Sequence, residues 1–148
     1  MKLAIIGSRT WPRKEKYRIE DYITALPPDT VIITGGWKSL AGGYHVIEPR
    51  GVDAIAWRAA ERVGLVVAIV AGSETKHKHM AGVQRNPVIA ELCDACVAFW
   101  DGESRGTART LREIMRLKKQ AVVIAPGGGV YETQHWQARV EYALAPKG

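Results

Sequence analysis

The stretch CDACVAFWDGESRGTARTLREIM, residues 93–115, decides how the chain is read. Ala95 to Trp100 is apolar without interruption, and it breaks abruptly into Asp101, Gly102, Glu103, Ser104, Arg105, Gly106 and Thr107. Ala108, Leu111 and Met115 then recur at helical spacing. A short continuous apolar run is what a strand covered on both faces requires, and a stripe repeating every three to four residues is one face of a helix. The unit is therefore strand, polar loop, helix.

Working outward, four more runs of the same kind appear: KLAIIG (2–7), TVIITGG (30–36), LVVAIVAG (65–72) and QAVVIA (120–125). All are expected as interior strands. Helical stripes lie between them. Ile19, Tyr22, Ile23 and Leu26 share a face before Pro27 and Pro28, and Val52, Ile55, Ala56, Ala59, Ala60 and Val63 repeat the pattern before Gly64. Pro87 follows Asn86 as a first-turn proline follows a cap, leading into Val88, Ile89 and Leu92. Trp136, Val140 and Leu144 suggest a last helix capped by Thr133. This alternation predicts an α/β domain: one doubly wound, Rossmann-like parallel sheet of about five strands with helices on both faces. An order of 3-2-1-4-5 brings the ends of the first and fourth strands side by side.

At 148 residues the chain has the size of one domain. Its 47% hydrophobic and 24% charged residues exclude a disordered or membrane class. No apolar run approaches the roughly 20 residues that cross a bilayer, and the N-terminal run is too short for a signal peptide, so a cytoplasmic location and no membrane partner are expected. Twenty-one basic against 15 acidic side chains, a net charge of +6, favour anionic partners without choosing between nucleotides and nucleic acid. Cys93 and Cys96 form a lone CxxC and are read as structural thiols, His77 and His79 as part of a solvated basic loop, and no metal is expected.

One segment has no period. WKSLAGGYHVIEPR, residues 37–50, exceeds the usual strand-to-helix connection of about 2 to 6 residues and reads as an inserted loop.

Ligands of open parallel sheets bind beyond the carboxyl ends of the strands, where the strand order reverses. Those ends read GSRT (7–10), TGG (34–36) followed by RGVD (50–53), AGSETKHKHMAGVQRN (71–86) and DGESRGT (101–107). Glycine lets backbone amides approach an anion, a helix start adds a favourable dipole, and Ser, Thr and Arg add donors, which suits phosphate or ribose. No full GxGxxG or P-loop lysine motif occurs, so no dinucleotide cofactor or ATP hydrolysis is signalled. The string APGGGVYET (125–133) is read as a turn into the last helix.

In order, IIGSRT, the split GG and GVD, AGVQRN and FWDGESRGTARTL resemble the YspA/cpYpsA-related branch of the SLOG superfamily across nearly the whole chain. That superfamily is Rossmann-like and includes LOG phosphoribohydrolases, the DNA-processing protein DprA and sensor domains for NAD-derived nucleotides. The resemblance implies a nucleotide-type ligand held by Gly7, Ser8, Arg9, Gly35, Gly36, Gly51, Asp53, Arg85, Asn86, Asp101, Gly102, Ser104, Gly106 and Thr107. The inserted loop falls within the second motif and reads as a lid offering Trp37, Tyr44 and His45 for stacking on a base. Relatives are often dimers or larger, which makes a homo-oligomer an expectation here. Arg85, nine residues before Asp94, is similar in placement to the LOG arginine, but the position of the LOG glutamate is occupied by Thr110, which cannot act as a general base. Catalysis would need another acid, with Asp53, Asp101 or Glu103 as candidates.

Three functions follow. The first is binding or sensing of a nucleotide or ADP-ribose-like ligand without a cofactor. The second is hydrolysis of a nucleotide N-glycosidic bond. The third is single-stranded nucleic-acid binding through Arg105, Arg109, Arg112 and Arg116, whose spacing of four, three and four places them on one side of a helix. The first is preferred.

Overall fold

The computed structural model describes residues 1–38, 44–45, 51–73 and 87–146. Its elements are β1 (Lys2–Gly7), a 3₁₀ turn (Arg13–Glu15), α1 (Lys16–Thr24), β2 (Val31–Lys38), β3 (Tyr44–His45), α2 (Val52–Arg62), β4 (Val66–Ser73), α3 (87–92), β5 (Ala95–Phe99), α4 (Arg105–Arg116), β6 (Gln120–Ile124) and α5 (Thr133–Leu144).

The five long strands are parallel. β1 pairs with β2 on one side and β5 on the other, β4 lies outside β2, and β6 lies outside β5. In order of appearance this is 3-2-1-4-5. The chain winds outward through β2 and β4, then returns to β5, so the order reverses between β1 and β5. Two-residue β3 adds a sixth strand, antiparallel to Trp37 and Lys38 at the end of β2.

Alternation along the strands divides the core into two layers. Leu3 and Ile5 of β1 and Val97 and Phe99 of β5 pack with Ile19 and Ile23 of α1 and with α2. Ala4, Ile6, Cys96, Ala98 and Trp100 face the other way, against Ile89, Leu111, Ile114, Trp136 and Val140. Trp11 and Tyr22 meet the Phe99 ring edge-on at 5.5 and 6.0 Å, contacts worth about 0.5–1.5 kcal/mol each beyond their burial. Both cysteines are buried free thiols, and burial pushes each above its ordinary range.

Four sequence expectations are corrected. β4 and β6 are edge strands, because an open sheet must end twice: Val66 and Ile69 are 65% and 37% exposed, and Val122 is exposed on β6. On α3 the core takes Ile89, Ala90 and then Cys93, leaving Val88 and Leu92, one turn apart, in water. Glu132 rather than Thr133 caps α5, its carbonyl accepting from the His135 and Trp136 amides at 3.0 Å. Gly35 and Gly36 do not follow β2 but lie within it, paired with Val70 and Ala71 of β4.

Single ionic groups secure two junctions. The Lys119 ammonium donates to the carbonyls of Ala90, Glu91 and Cys93, each at 2.7 Å, and closes the carboxyl end of α3. Residues 125–131 form the turn expected of APGGGVYET: the Ala125 amide donates to Gly129, and the Tyr131 amide returns to Val123. Oε1 of Glu15 accepts from Arg18 Nε at 2.6 Å and from the Gly127 amide, so the anion at this glycine-rich turn is one of the chain's own carboxylates.

The Arg18 hydrogen bond, and then the Gly127 amide, hold the Glu15 carboxyl below its ordinary value of 4.5. A depressed carboxylate stabilises the fold fully above its unfolded value, and that contribution is lost as pH falls through the folded one. Melting curves across pH should show Glu15→Gln less stable than wild type at neutral pH, with the gap closing as pH falls below the ordinary carboxyl value of 4.5 and through the lower folded one. A gap independent of pH would contradict the clamp.

Candidate functional site

The site is built around Gly7 and Ser8, where β1 ends. A Cβ on Gly7 would collide with the Phe99 carbonyl and lie 2.6 Å from Val52 Cγ2, so glycine is what allows β5 and α2 to close on β1. Ser8 is fully buried and is bonded three ways. Its amide donates to Phe99 O at 3.1 Å, its carbonyl accepts from the Val52 amide at 3.3 Å, and its Oγ accepts from the Asp101 amide at 3.1 Å. The first residue after β1 thus holds the start of α2 and the start of the loop after β5.

That loop is shaped by its own side chains. Asp101 Oδ1 accepts from the amides of Glu103 and Ser104 at 2.8 Å each, an Asx-type turn. Trp100 Nε1 donates to Ser104 O at 3.0 Å, pinning the loop to the core below it. Gly102 has φ +81°, a conformation that favours glycine, and Arg139 Nε of α5 donates to its carbonyl at 2.8 Å. The loop ends at the N-terminus of α4. Ser104 occupies the cap position without a side-chain capping bond, and its Oγ lies 3.5 Å from Thr107 Oγ1. Gly106 is exposed, and a Cβ there would meet no atom within 4 Å. Helix starts of this kind attract anions through their amides and the helix dipole.

The structure brings together Gly7, Ser8, Asp101, Gly102, Ser104, Gly106 and Thr107, along with exposed Arg9, which directly follows Ser8. Gly51 is the buried cap residue of α2, and Asp53 stands in the first turn, where a carboxylate complements the helix dipole. Gly35 and Gly36 stay in the sheet on the next strand. Arg85, Asn86, His77 and His79 lie outside the described residues, as does most of the inserted loop; only the backbone at 37–38 and 44–45 is placed.

The chemical reading sharpens at two positions. Thr110 is buried, and its Oγ1 donates to Gly106 O at 3.3 Å, so this hydroxyl bonds the backbone of its own helix. Asp101 uses one carboxylate oxygen on two amides and acts first as a loop builder. Arg139 was not read from sequence. It lies 37 residues from Gly102, and nothing in a linear pattern signals a side chain that bonds a distant carbonyl.

Among solved structures the chain is similar to DNA processing protein A (DprA) from Streptococcus pneumoniae, with a TM-score of 0.66 at 21% identity over 97% of this chain. The match covers 55% of that protein, so the chain spans about half its length. At this identity the likeness is one of fold. No family model and no curated protein matches the sequence.

Ser8→Ala should cost about 1–3 kcal/mol in chemical denaturation, because the Asp101 amide loses its acceptor in a buried junction. Ser8→Thr keeps an acceptor but adds a methyl group to a closed space, and should also destabilise the fold. Ser8→Ala matching wild type would show that the junction does not depend on the hydroxyl.

Proposed function

We propose that the chain binds a nucleotide or an NAD-derived, ADP-ribose-like ligand in the crevice between the loops after β1 and β5. One observation carries this reading: at the reversal point of the sheet, buried Ser8 ties the two loops together, beside a helix start whose second residue, Gly106, is exposed. Ligands of doubly wound sheets sit at this point. In this reading the amides at the start of α4 and the Ser104 hydroxyl receive a phosphate, Arg9 adds a charge-assisted bond, and Gly7 keeps the floor low. Gly35, Gly36, Gly51 and Asp53 border the crevice from the β2 side, and Arg85 and Asn86 complete the set that the YspA/cpYpsA-like motif order supplies.

Binding is favoured over turnover. An N-glycosidic hydrolase of LOG type needs a carboxylate where this chain has buried Thr110, and Asp101 is engaged by two backbone amides. Hydrolysis would fall to Asp53 or Glu103, of which Glu103 is exposed on the loop.

Nucleic-acid binding is the second reading. The observation favouring it is that Arg105, Arg109, Arg112 and Arg116 lie opposite the buried face of α4, formed by Thr107, Ala108, Thr110, Leu111 and Ile114. The likeness of fold to a DNA processing protein points the same way.

Calorimetry with AMP, NAD and ADP-ribose tests the first reading. Arg9→Ala should weaken the ligand that binds by about 10- to 100-fold, the worth of one charge-assisted bond, while unliganded stability changes by less than about 0.5 kcal/mol. Unchanged affinity in Arg9→Ala would place the ligand elsewhere, and no heat with any of the three would remove this ligand class.

A further inference from the structure

We infer that the ligand of the crevice carries an open chain of phosphates, a nucleoside di- or triphosphate, and that Arg13 and Lys14 hold the phosphates beyond the first. The inference rests on the reading that a nucleotide occupies the crevice, with its first phosphate between the start of α4 and Arg9. What it adds is a second wall. α4 packs on one face of the sheet through Leu111 and Ile114, and α1 on the other through Ile19 and Ile23. Residues 9–15 join β1 to α1, so they border the carboxyl end of the sheet on the face opposite α4.

That border is anchored at both ends. Trp11 is buried, meets the Phe99 ring edge-on at 5.5 Å, and donates from Nε1 to the Glu15 carbonyl at 2.9 Å. The Glu15 carboxylate in turn accepts from the Gly127 amide, in the turn after β6. The segment therefore runs from Ser8, past the end of β5, to the end of β6, along the mouth of the crevice. Between the anchors the Glu15 amide donates to the Pro12 carbonyl at 2.9 Å, and the resulting 3₁₀ turn carries Arg13 and Lys14, both exposed.

The charges on this turn are not balanced from within. Its one carboxylate, Glu15, is engaged by Arg18 and the Gly127 amide, and Lys16 has Glu20 at 3.9 Å. Among the described residues no carboxylate pairs with Arg9, Arg13 or Lys14. Cations gathered on one short segment repel one another, and oxyanions that reach them relieve the repulsion through charge-assisted bonds. A monophosphate held at the start of α4 leaves Arg13 and Lys14 as they are. A free terminal phosphate, extending from the first toward the opposite rim, supplies the missing charge. ADP-ribose meets this demand less well, because its second phosphate is covered by a sugar.

Calorimetry with AMP, ADP, ATP, ADP-ribose and inorganic tripolyphosphate, in buffer free of divalent cations, tests the proposal. ADP and ATP should bind about 10- to 100-fold more tightly than AMP, the worth of one charge-assisted bond, and ADP-ribose should gain less. The double variant Arg13→Ala, Lys14→Ala should bring ADP and ATP down to the level of AMP, with AMP affinity and melting temperature as in wild type. Arg9→Ala should by contrast weaken all the nucleotides. Lys118→Gln, which removes an exposed charge just before β6 at the opposite edge of the sheet, should keep the ATP advantage. ATP binding no tighter than AMP, or an advantage that survives the double variant, would overturn the proposal and leave the nucleotide reading standing. Tripolyphosphate binding as tightly as ATP would also overturn it, by revealing a polyanion patch independent of the crevice. No heat with any nucleotide would remove the crevice reading and this inference with it.

Discussion

The fold turns on how closely three pieces of backbone approach at Gly7 and Ser8. β1 ends against the Phe99 carbonyl of β5, and α2 begins on the Ser8 carbonyl, in a space that a single Cβ at residue 7 would fill. Once the chain has closed there, the Ser8 hydroxyl is left buried at the top of the sheet. It takes the Asp101 amide, a donor that burial would otherwise make costly. Winding of the sheet, the start of α2 and the start of the loop after β5 thus depend on one junction.

The chemistry available at that edge follows from the same junction. A loop anchored at its first amide by Ser8, turned by Asp101, pinned by Trp100 and braced by Arg139 presents the start of α4 in a fixed direction. Such preorganisation suits recognition, since little order remains to be imposed when an anion arrives. Asp101, one of the acids considered for turnover, is engaged in building the loop through the amides of Glu103 and Ser104. Thr110 likewise bonds backbone within a few residues of itself.

Much of this was legible in the sequence because continuous apolar runs have few uses. Each of the five runs became a strand within about two residues of the expected limits, and the stripes on α1, α2, α4 and α5 face the core except at Val63, which ends α2 44% exposed. The meeting of the GSR and DGESRGT loops followed from strand order. What was not legible depends on contacts distant in sequence. A Val-rich run does not announce whether its second neighbour exists, so β4 and β6 were read as interior. The pair Gly35 and Gly36 looks like a turn until β4 is seen to extend the ladder alongside it. The glycine-rich turn at 126–129 resembles an anion site in sequence, and only the fold shows that Glu15, 112 residues away, is the anion.

Amide chemical shifts of the ¹⁵N-labelled protein, followed while ADP-ribose or AMP is added, test the central claim most directly. The account predicts that the largest shifts fall on Ser8, Arg9 and the amides from Gly102 to Thr107, with Gly127 and the α3 end near Lys119 unmoved. Shifts centred on the β6–α5 turn or on β4, with the Ser8 and Gly106 amides unchanged, would contradict it.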